Sequence, residues 1–488
     1  MLVFLLLRLM LREEYRMHVS HSSRTIFIAI PIFVLTVSLM LGLTLDRLLD
    51  TMPLGQMLGL ANMGFFLYGL SVGAFGFLGR TYIERSQGRQ NFLVATPSVL
   101  PLSFRKAFLG MYLRDVVFYL LIIIAPAMAG MLASVPLVHH DPISVVSAFS
   151  PIVLSFLYGI SLSFAMSILY TRSLAVFLVG VGAFIGTIVG HGFLGLYGLD
   201  LVLPTLGLQF ALPPFGWRPH AVMLYSGTTG LLILLFLVVA VSFVRERYES
   251  VRSSFEELLP AYLGRFRFIG KYQELVAKEF VDLVRSGTLF KMSLSFVAPL
   301  FFLSLSTWYV NAGLGIPVGF NTVFYAAMVG FFGVLLYSWL TNVDLADYYG
   351  TLPVTVPDLI RAKLLVFLML ALGISTPFVV GISVLNGETG ILWLALPVLY
   401  ITSVYMVVAT AYLTGISPQS FLFNPNVLTK FTVVSLLPDL GLTILSFSLD
   451  TEPLLTAVGI SLVCSVLLVG TFLFLAGIER KWSRTSFS

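Results

Sequence analysis

The chain is 488 residues long, 58% hydrophobic and 10% charged, with a mean hydropathy of +0.98. Soluble globular chains run about 45–50% apolar and about 25% charged, so a water-soluble domain around one core and a disordered chain are both excluded. The net charge of +5 comes from 28 Lys and Arg against 23 Asp and Glu. In a chain this apolar, such an excess reports membrane sidedness and gives no reason to expect nucleic acid as a partner.

The composition therefore predicts an all-α fold, a polytopic integral membrane protein. The opening residues, MLVFLLLRLMLREEYR, lack a cationic stretch before the apolar one and are interrupted by Arg8. No A-x-A site follows, so they read as mature sequence and not as a secretory signal. Arg8, Arg12 and Arg16 stand at i, i+4 and i+8, which predicts a cytoplasmic amphipathic helix over 1–24, lying along the membrane interface.

A helix needs about 20 apolar residues to cross about 30 Å of hydrocarbon. In chain order, runs of that kind lie near 25–45, 57–79, 113–133, 144–170, 174–196 and 221–244. A second set lies near 292–312, 321–341, 364–385, 391–415, 431–449 and 454–476. Twelve crossings put both termini on one side. With both termini cytoplasmic, every Lys and Arg except Arg47 and Arg218 falls on the cytoplasmic side, as the positive-inside rule requires.

The two sets resemble each other. Pro-x3-Pro occurs twice, at Pro97/Pro101 and Pro353/Pro357, each time just after a second helix and four residues before an arginine, Arg105 or Arg361. Pro31 and Pro299 lie in first helices, Pro151 and Pro397 in fourth ones. The expected organisation is a first six-helix unit over 1–244, a polar linker over 245–269 and a second unit over 270–488. The segment 270–291 predicts another amphipathic helix. Val276, Phe280, Leu283 and Val284 would share its apolar face, turned to the headgroups, with Lys278, Asp282 and Arg285 on the other.

Catalytic chemistry is not expected in this chain. There is no H-E-x-x-H and no His, Asp and Glu set at metal-ligand spacing within the helices. His139-His140-Asp141 reads as a solvated loop. Glu13-Glu14-Tyr15-Arg16 echoes the paired glutamates of membrane prenyl-proteases, but the arginine spacing differs and no intramembrane histidine completes it. The phosphate-loop mimic from Gly264 to Tyr272 has five residues between its glycines and Tyr272 where Ser or Thr must hold magnesium. The lone Cys464 excludes a disulfide scaffold, zinc finger or iron–sulfur site. No catalytic, cofactor-binding or metal residue is assigned.

What remains is a cytoplasmic amphipathic helix, six spans and a long charged loop, IERSQGRQNFLVATPSVLPLSFRKAF, between spans two and three. Its Glu84, Gly88, Phe92, Leu93, Thr96 and Pro97 follow the order of acid, glycine, apolar residues and Thr-Pro. This resembles the membrane subunits of ATP-binding-cassette exporters of the type-2 (ABC-2) permease family. The resemblance covers the whole chain as topology, 80–106 as residue pattern, and 342–363 weakly. The family's usual permease has six spans and pairs with a second copy, whereas this chain carries two six-helix units in tandem. The second loop keeps Leu352-Pro353 but lacks the acid-to-glycine run.

The resemblance implies a permease subunit of an exporter in the plasma membrane. The partners would be cytoplasmic ATPase subunits, two copies, which hold ATP and magnesium, together with the lipid bilayer and an exported substrate. By resemblance, 80–106 and 342–363 are coupling loops in which Glu84, Arg85, Gly88, Arg89, Thr96, Pro97, Arg105, Pro353 and Arg361 meet the ATPase. Arg12, Glu13, Lys278 and Glu279 belong to connecting helices beside them. The alternative for these charges is to set topology and bind headgroups.

Away from the span ends, two ionisable residues fall within predicted spans, His191 in the fifth and Asp439 beside Pro438 in the eleventh. They are either a pathway pair contacting substrate or protons, or a histidine at an interface and a carboxylate hydrated where span eleven breaks at Pro438. The competing overall reading is an ion-coupled transporter of the major-facilitator kind, also twelve-spanning. Its Asp-Arg and Gly-Arg loop pattern finds an echo in Glu84-Arg85 and Gly88-Arg89, but its loop is short. A membrane enzyme or scaffold is a third class, disfavoured by the missing catalytic cluster.

Overall fold

The computed structural model describes residues 7–12, 15–16, 24–50, 52–73, 104–192, 199–244, 257–285, 288–313, 320–333, 349, 353–416, 425–449 and 451–483. Among them all regular structure is helical, with no strand. Among the described residues, seven helices are long and apolar enough to cross a membrane: Phe108–Val138, Pro142–Tyr170, Pro219–Phe243, Val356–Leu385, Thr389–Thr414, Thr429–Phe447 and Pro453–Trp482. Long apolar faces stay outside the protein core, as on Pro453–Trp482, where Leu455, Val458, Leu462, Val466, Phe472 and Leu473 are exposed. Only lipid covers that much apolar surface on so many helices. This is a polytopic membrane protein.

The chain divides into two compact units: Met1–Glu249 with Tyr309–Ile316, and Ser250–Trp308 with Pro317–Ser488. In the first, α1 (Arg24–Leu43), α2 (Leu54–Gly73) and α3 (Phe104–Tyr119) are followed by a π turn at Leu120–Ile124 leading into α4 (Ala125–Val138). Then come α5 (Pro142–Arg172), α6 (Leu174–Gly192), two short helices α7 (Leu199–Val202) and α8 (Pro204–Gln209), and α9 (Pro219–Phe243). The central helix is α5, the most buried of the seven, with α2 and α9 against it. Small residues permit that approach: a Cβ on Gly69 would overlap the Phe156 carbonyl, and one on Gly159 the Phe66 carbonyl. Asp141 caps α5, accepting from the backbone of Ile143 and Ser144 at 3.2 and 2.9 Å and from the Ser144 hydroxyl at 2.8 Å. Those bonds, the Ser144 hydroxyl first, hold its carboxyl below the ordinary range.

The second unit begins inside the segment expected to be a polar linker. Helix α10 (Leu259–Arg265) and a 3₁₀ turn (Arg267–Tyr272) lead into α11 (Gln273–Arg285), and Phe266 is buried in the unit's core. There follow α12 (Thr288–Trp308), α13 (Thr322–Phe332), α14 (Val356–Leu385), α15 (Leu392–Thr414), α16 (Pro425–Phe447) and α17 (Pro453–Trp482). Here α15 is central, packed by α13, α14 and α17. Pro31, Pro151, Pro299 and Pro397 all lie inside helices.

Two expectations are corrected. Helix α11 does not turn its apolar face to headgroups. Val276, Ala277 and Leu283 are buried in the unit's core, and Phe280 packs on Phe266 with ring centroids 4.8 Å apart. Val284, assigned to that face, is 37% exposed, while Glu279 is buried. The face is rotated because Glu279 has partners inside the protein. Nor does α16 break at Pro438: it runs unbroken from Pro425 to Phe447. Proline removes the amide that would bond the carbonyl four residues earlier, Val434. The Tyr405 hydroxyl of α15 donates to that carbonyl at 3.1 Å, so the helix loses a bond but leaves no orphan.

Candidate functional site

The site is built where the segment before α12 meets the start of α14. Val356–Leu385 begins cleanly: Thr355 is its N-cap, its hydroxyl accepting from the Asp358 amide at 3.4 Å and donating to the Asp358 carboxylate at 2.7 Å. Pro357 sits in the first turn, where a missing N–H costs nothing. Half of the Pro-x3-Pro signal is therefore a helix-start signal.

Three links lace the preceding segment to the first two turns of α14. Lys271 Nζ donates to Asp358 Oδ1 at 2.9 Å, and this bond raises the lysine's pKa above its ordinary value. Arg361 Nη1 donates to the Tyr272 hydroxyl at 3.2 Å, and its Nη2 to Glu479 of α17 at 2.7 Å. Lys363 Nζ donates to Glu279 Oε2 at 2.8 Å.

The third link is the unusual one. Glu279 and Lys363 side chains are 1% and 2% exposed, so both charges are out of solvent. The other carboxylate oxygen of Glu279 accepts from the Tyr349 hydroxyl at 2.6 Å, and that hydroxyl accepts from Lys278 Nζ at 3.0 Å. Lys278 also pairs with Asp282 at 2.7 Å and stands 4.7 Å from the Tyr349 ring centroid. Burying two charges is tolerated only when pairing and hydrogen bonds compensate for lost hydration, and both oxygens of Glu279 are occupied. Tyr349 belongs to the 342–363 loop. The knot therefore ties Tyr349, α11 and the start of α14 together.

Of the residues selected from sequence, Lys278, Glu279 and Arg361 come together here. Pro353 is exposed, two residues before the cap. Arg105 is exposed on the first turn of α3, and Arg12 is exposed on a helical segment at 7–12. Glu13, Glu84, Arg85, Gly88, Arg89, Thr96 and Pro97 lie outside the described residues. His191 lies in α6 of the first unit and Asp439 in α16 of the second. Asp439 is half-buried, and its Oδ1 has no hydrogen-bond partner among the described residues.

Sequence reasoning missed Lys363 and Tyr349 as site residues. The available signal was a charge inside an apolar stripe. Lys363 has Leu359, Ile360, Val366 and Phe367 at i−4, i−3, i+3 and i+4, and Glu279 shares its stripe with Leu275, Val276 and Leu283. Two opposite charges, each on a face that should be apolar, are candidates for each other. Among the described residues no group of three or more His, Cys, Asp or Glu is placed to hold a metal ion. In comparison with known proteins, this chain matches no family model, no curated protein and no solved structure.

Proposed function

We propose that this chain is the membrane-spanning permease subunit of an ATP-driven exporter of the ABC-2 kind, without ATPase activity of its own. Twelve spans in two tandem six-helix units, both termini cytoplasmic, form the pathway through the plasma membrane. Separate cytoplasmic ATPase subunits supply ATP and magnesium. The observation that carries this reading is the knot of Glu279, Lys363, Tyr349 and Lys278. An external motor needs a stiff lever, and a buried, fully bonded ion pair between a pre-span helix and the root of α14 is stiff. Under this reading, force arriving at Tyr349 passes to α14 through Glu279 and Lys363.

The test is charge reversal in the first loop, Glu84→Arg with Arg89→Glu, followed by co-purification with the ATPase partner. Loss of the partner from folded protein supports docking there; undiminished binding removes the assignment. A second reading has one observation in its favour, the carboxylate oxygen of Asp439 that has no partner among the described residues, which suits an ion-coupled carrier. Asp439→Asn abolishes transport under that reading, and leaves ATP-driven export unchanged under the first.

A further inference from the structure

The first unit holds a cavity that coupling to an ATPase does not use. Between α6 and α9 the chain makes the short helices α7 and α8 and returns through 210–218. These elements are held firmly. Asn62 of α2 donates to Gln209 at 2.8 Å, and the Ser155 hydroxyl of α5 lies 2.7 Å from that of Thr205, all four side chains being buried. The returning loop is pinned by Ser147, whose hydroxyl donates to the Pro213 carbonyl at 2.7 Å, and by the Arg218 amide, which donates to the Ala211 carbonyl at 3.0 Å.

This framework borders a half-open cavity of about 370 Å³, lined by Asp200, Gln209, Arg218 and Tyr225 with Leu206 and Phe210. That volume lies at the small end of ligand pockets, which run about 300–1,000 Å³. Tyr225 donates to Asp200 Oδ2 at 2.7 Å and aims that carboxylate. Its ring rests on Gly207, where a Cβ would come within 2.5 Å of the ring. Gln209 is already spent on Asn62 and the Gly55 carbonyl, so Asp200 and Arg218 set the charge preference. They line one cavity, and among the described residues no ion pair joins them.

Arg218 is one of the two basic residues that the positive-inside assignment leaves over. Its neighbour Trp217 is 64% exposed, and beyond them Leu224, Leu231, Leu234, Leu235 and Val238 of α9 are exposed. A Trp-Arg pair at the end of a lipid-facing helix is the arrangement found at headgroup level.

We propose that this cavity binds a phosphoethanolamine group, its ammonium on Asp200 and its phosphate on Arg218. A ligand with one charge would meet only one of these two groups, whereas a zwitterion with a hydrogen-bonding ammonium meets both, the ammonium donating to Asp200 as a quaternary amine cannot. The same group occurs on a membrane lipid and in soluble form, and the experiment separates the two.

The full chain, purified without any ATPase, is placed in nanodiscs of phosphatidylcholine carrying either phosphatidylethanolamine or phosphatidylglycerol, and separately titrated with soluble O-phosphoethanolamine. Thermal stability and tryptophan fluorescence are followed. Saturable stabilisation by phosphatidylethanolamine alone supports the site with a lipid as its source; saturation by the soluble compound as well supports a site that takes either. Arg218→Gln, at an exposed position, and Asp200→Asn each weaken the apparent affinity about ten- to a hundred-fold, the usual effect of deleting a charge-assisted hydrogen bond. Gly207→Ala, which displaces Tyr225, weakens it too. Equal stabilisation by phosphatidylglycerol makes this a plain anion site at Arg218 and overturns the proposal. So does the absence of binding, or binding that survives Arg218→Gln in folded protein.

Discussion

Glu279 and Lys363 form an ion pair at 2.8 Å between α11 and α14, with neither side chain reaching solvent. Such a pair is costly to break and contributes little net stability over an apolar replacement. Glu279→Gln alone strands a buried ammonium and is expected to lower stability by about 3–5 kcal/mol, and Lys363→Met alone by a similar amount. The double variant Glu279→Gln/Lys363→Met recovers most of that loss. Chemical unfolding in micelles of the two singles and the double measures the coupling; strictly additive losses contradict it.

The Tyr405 hydroxyl stands in for the amide that Pro438 lacks. Tyr405→Phe leaves the Val434 carbonyl unsatisfied and is expected to cost about 1–3 kcal/mol. In a Pro438→Ala background the alanine amide takes over that carbonyl, and the same Tyr405→Phe change costs clearly less. Unfolding measurements on the four-member cycle check this, and equal costs in both backgrounds contradict it.

How much could be read in advance follows from the range of the forces involved. Among the described residues seven of the apolar runs carry helices long enough to cross a membrane, because hydropathy over 20 residues is a local quantity, and interior prolines such as Pro151 and Pro397 did not end their helices. The knot was illegible for the opposite reason: Glu279 and Lys363 are 84 positions apart. A charge on an apolar stripe reads as noise until its partner is placed. That is why Val284 was assigned to a face that Glu279 occupies. The continuity of α16 was hidden in the same way, since Tyr405 and Val434 are 29 positions apart.

Close backbone contact at glycine gives a packing prediction. Gly159→Ala would overlap the Phe66 carbonyl and Gly330→Ala the Thr402 side chain, and overpacking of this kind costs about 1–3 kcal/mol or more. Gly182→Ala and Gly381→Ala meet no neighbour and are expected to be neutral or slightly stabilising, since alanine favours helix. Melting temperatures of the four variants in one detergent decide it; similar shifts for both pairs contradict the packing.

Asp141 gives a pH signature. A carboxyl held below its ordinary pKa contributes stability above the unfolded pKa, and that contribution is lost as pH falls through the folded value. Asp141→Ala is therefore less stable than the native chain at pH 7, and the gap closes progressively below about pH 4 as the carboxyl of the unfolded and then the folded chain takes up its proton. Melting curves at pH 7 and pH 3 read the gap, and a gap independent of pH contradicts the cap.

The central claim is that this membrane body moves solute only when an external ATPase drives it. Proteoliposomes containing the purified chain alone, and the chain with its ATPase partner, are compared under an imposed proton or sodium gradient and with ATP and magnesium. No solute movement by the chain alone, and ATP-dependent movement once the ATPase is added, is the result expected. Gradient-driven movement by the chain alone contradicts the account.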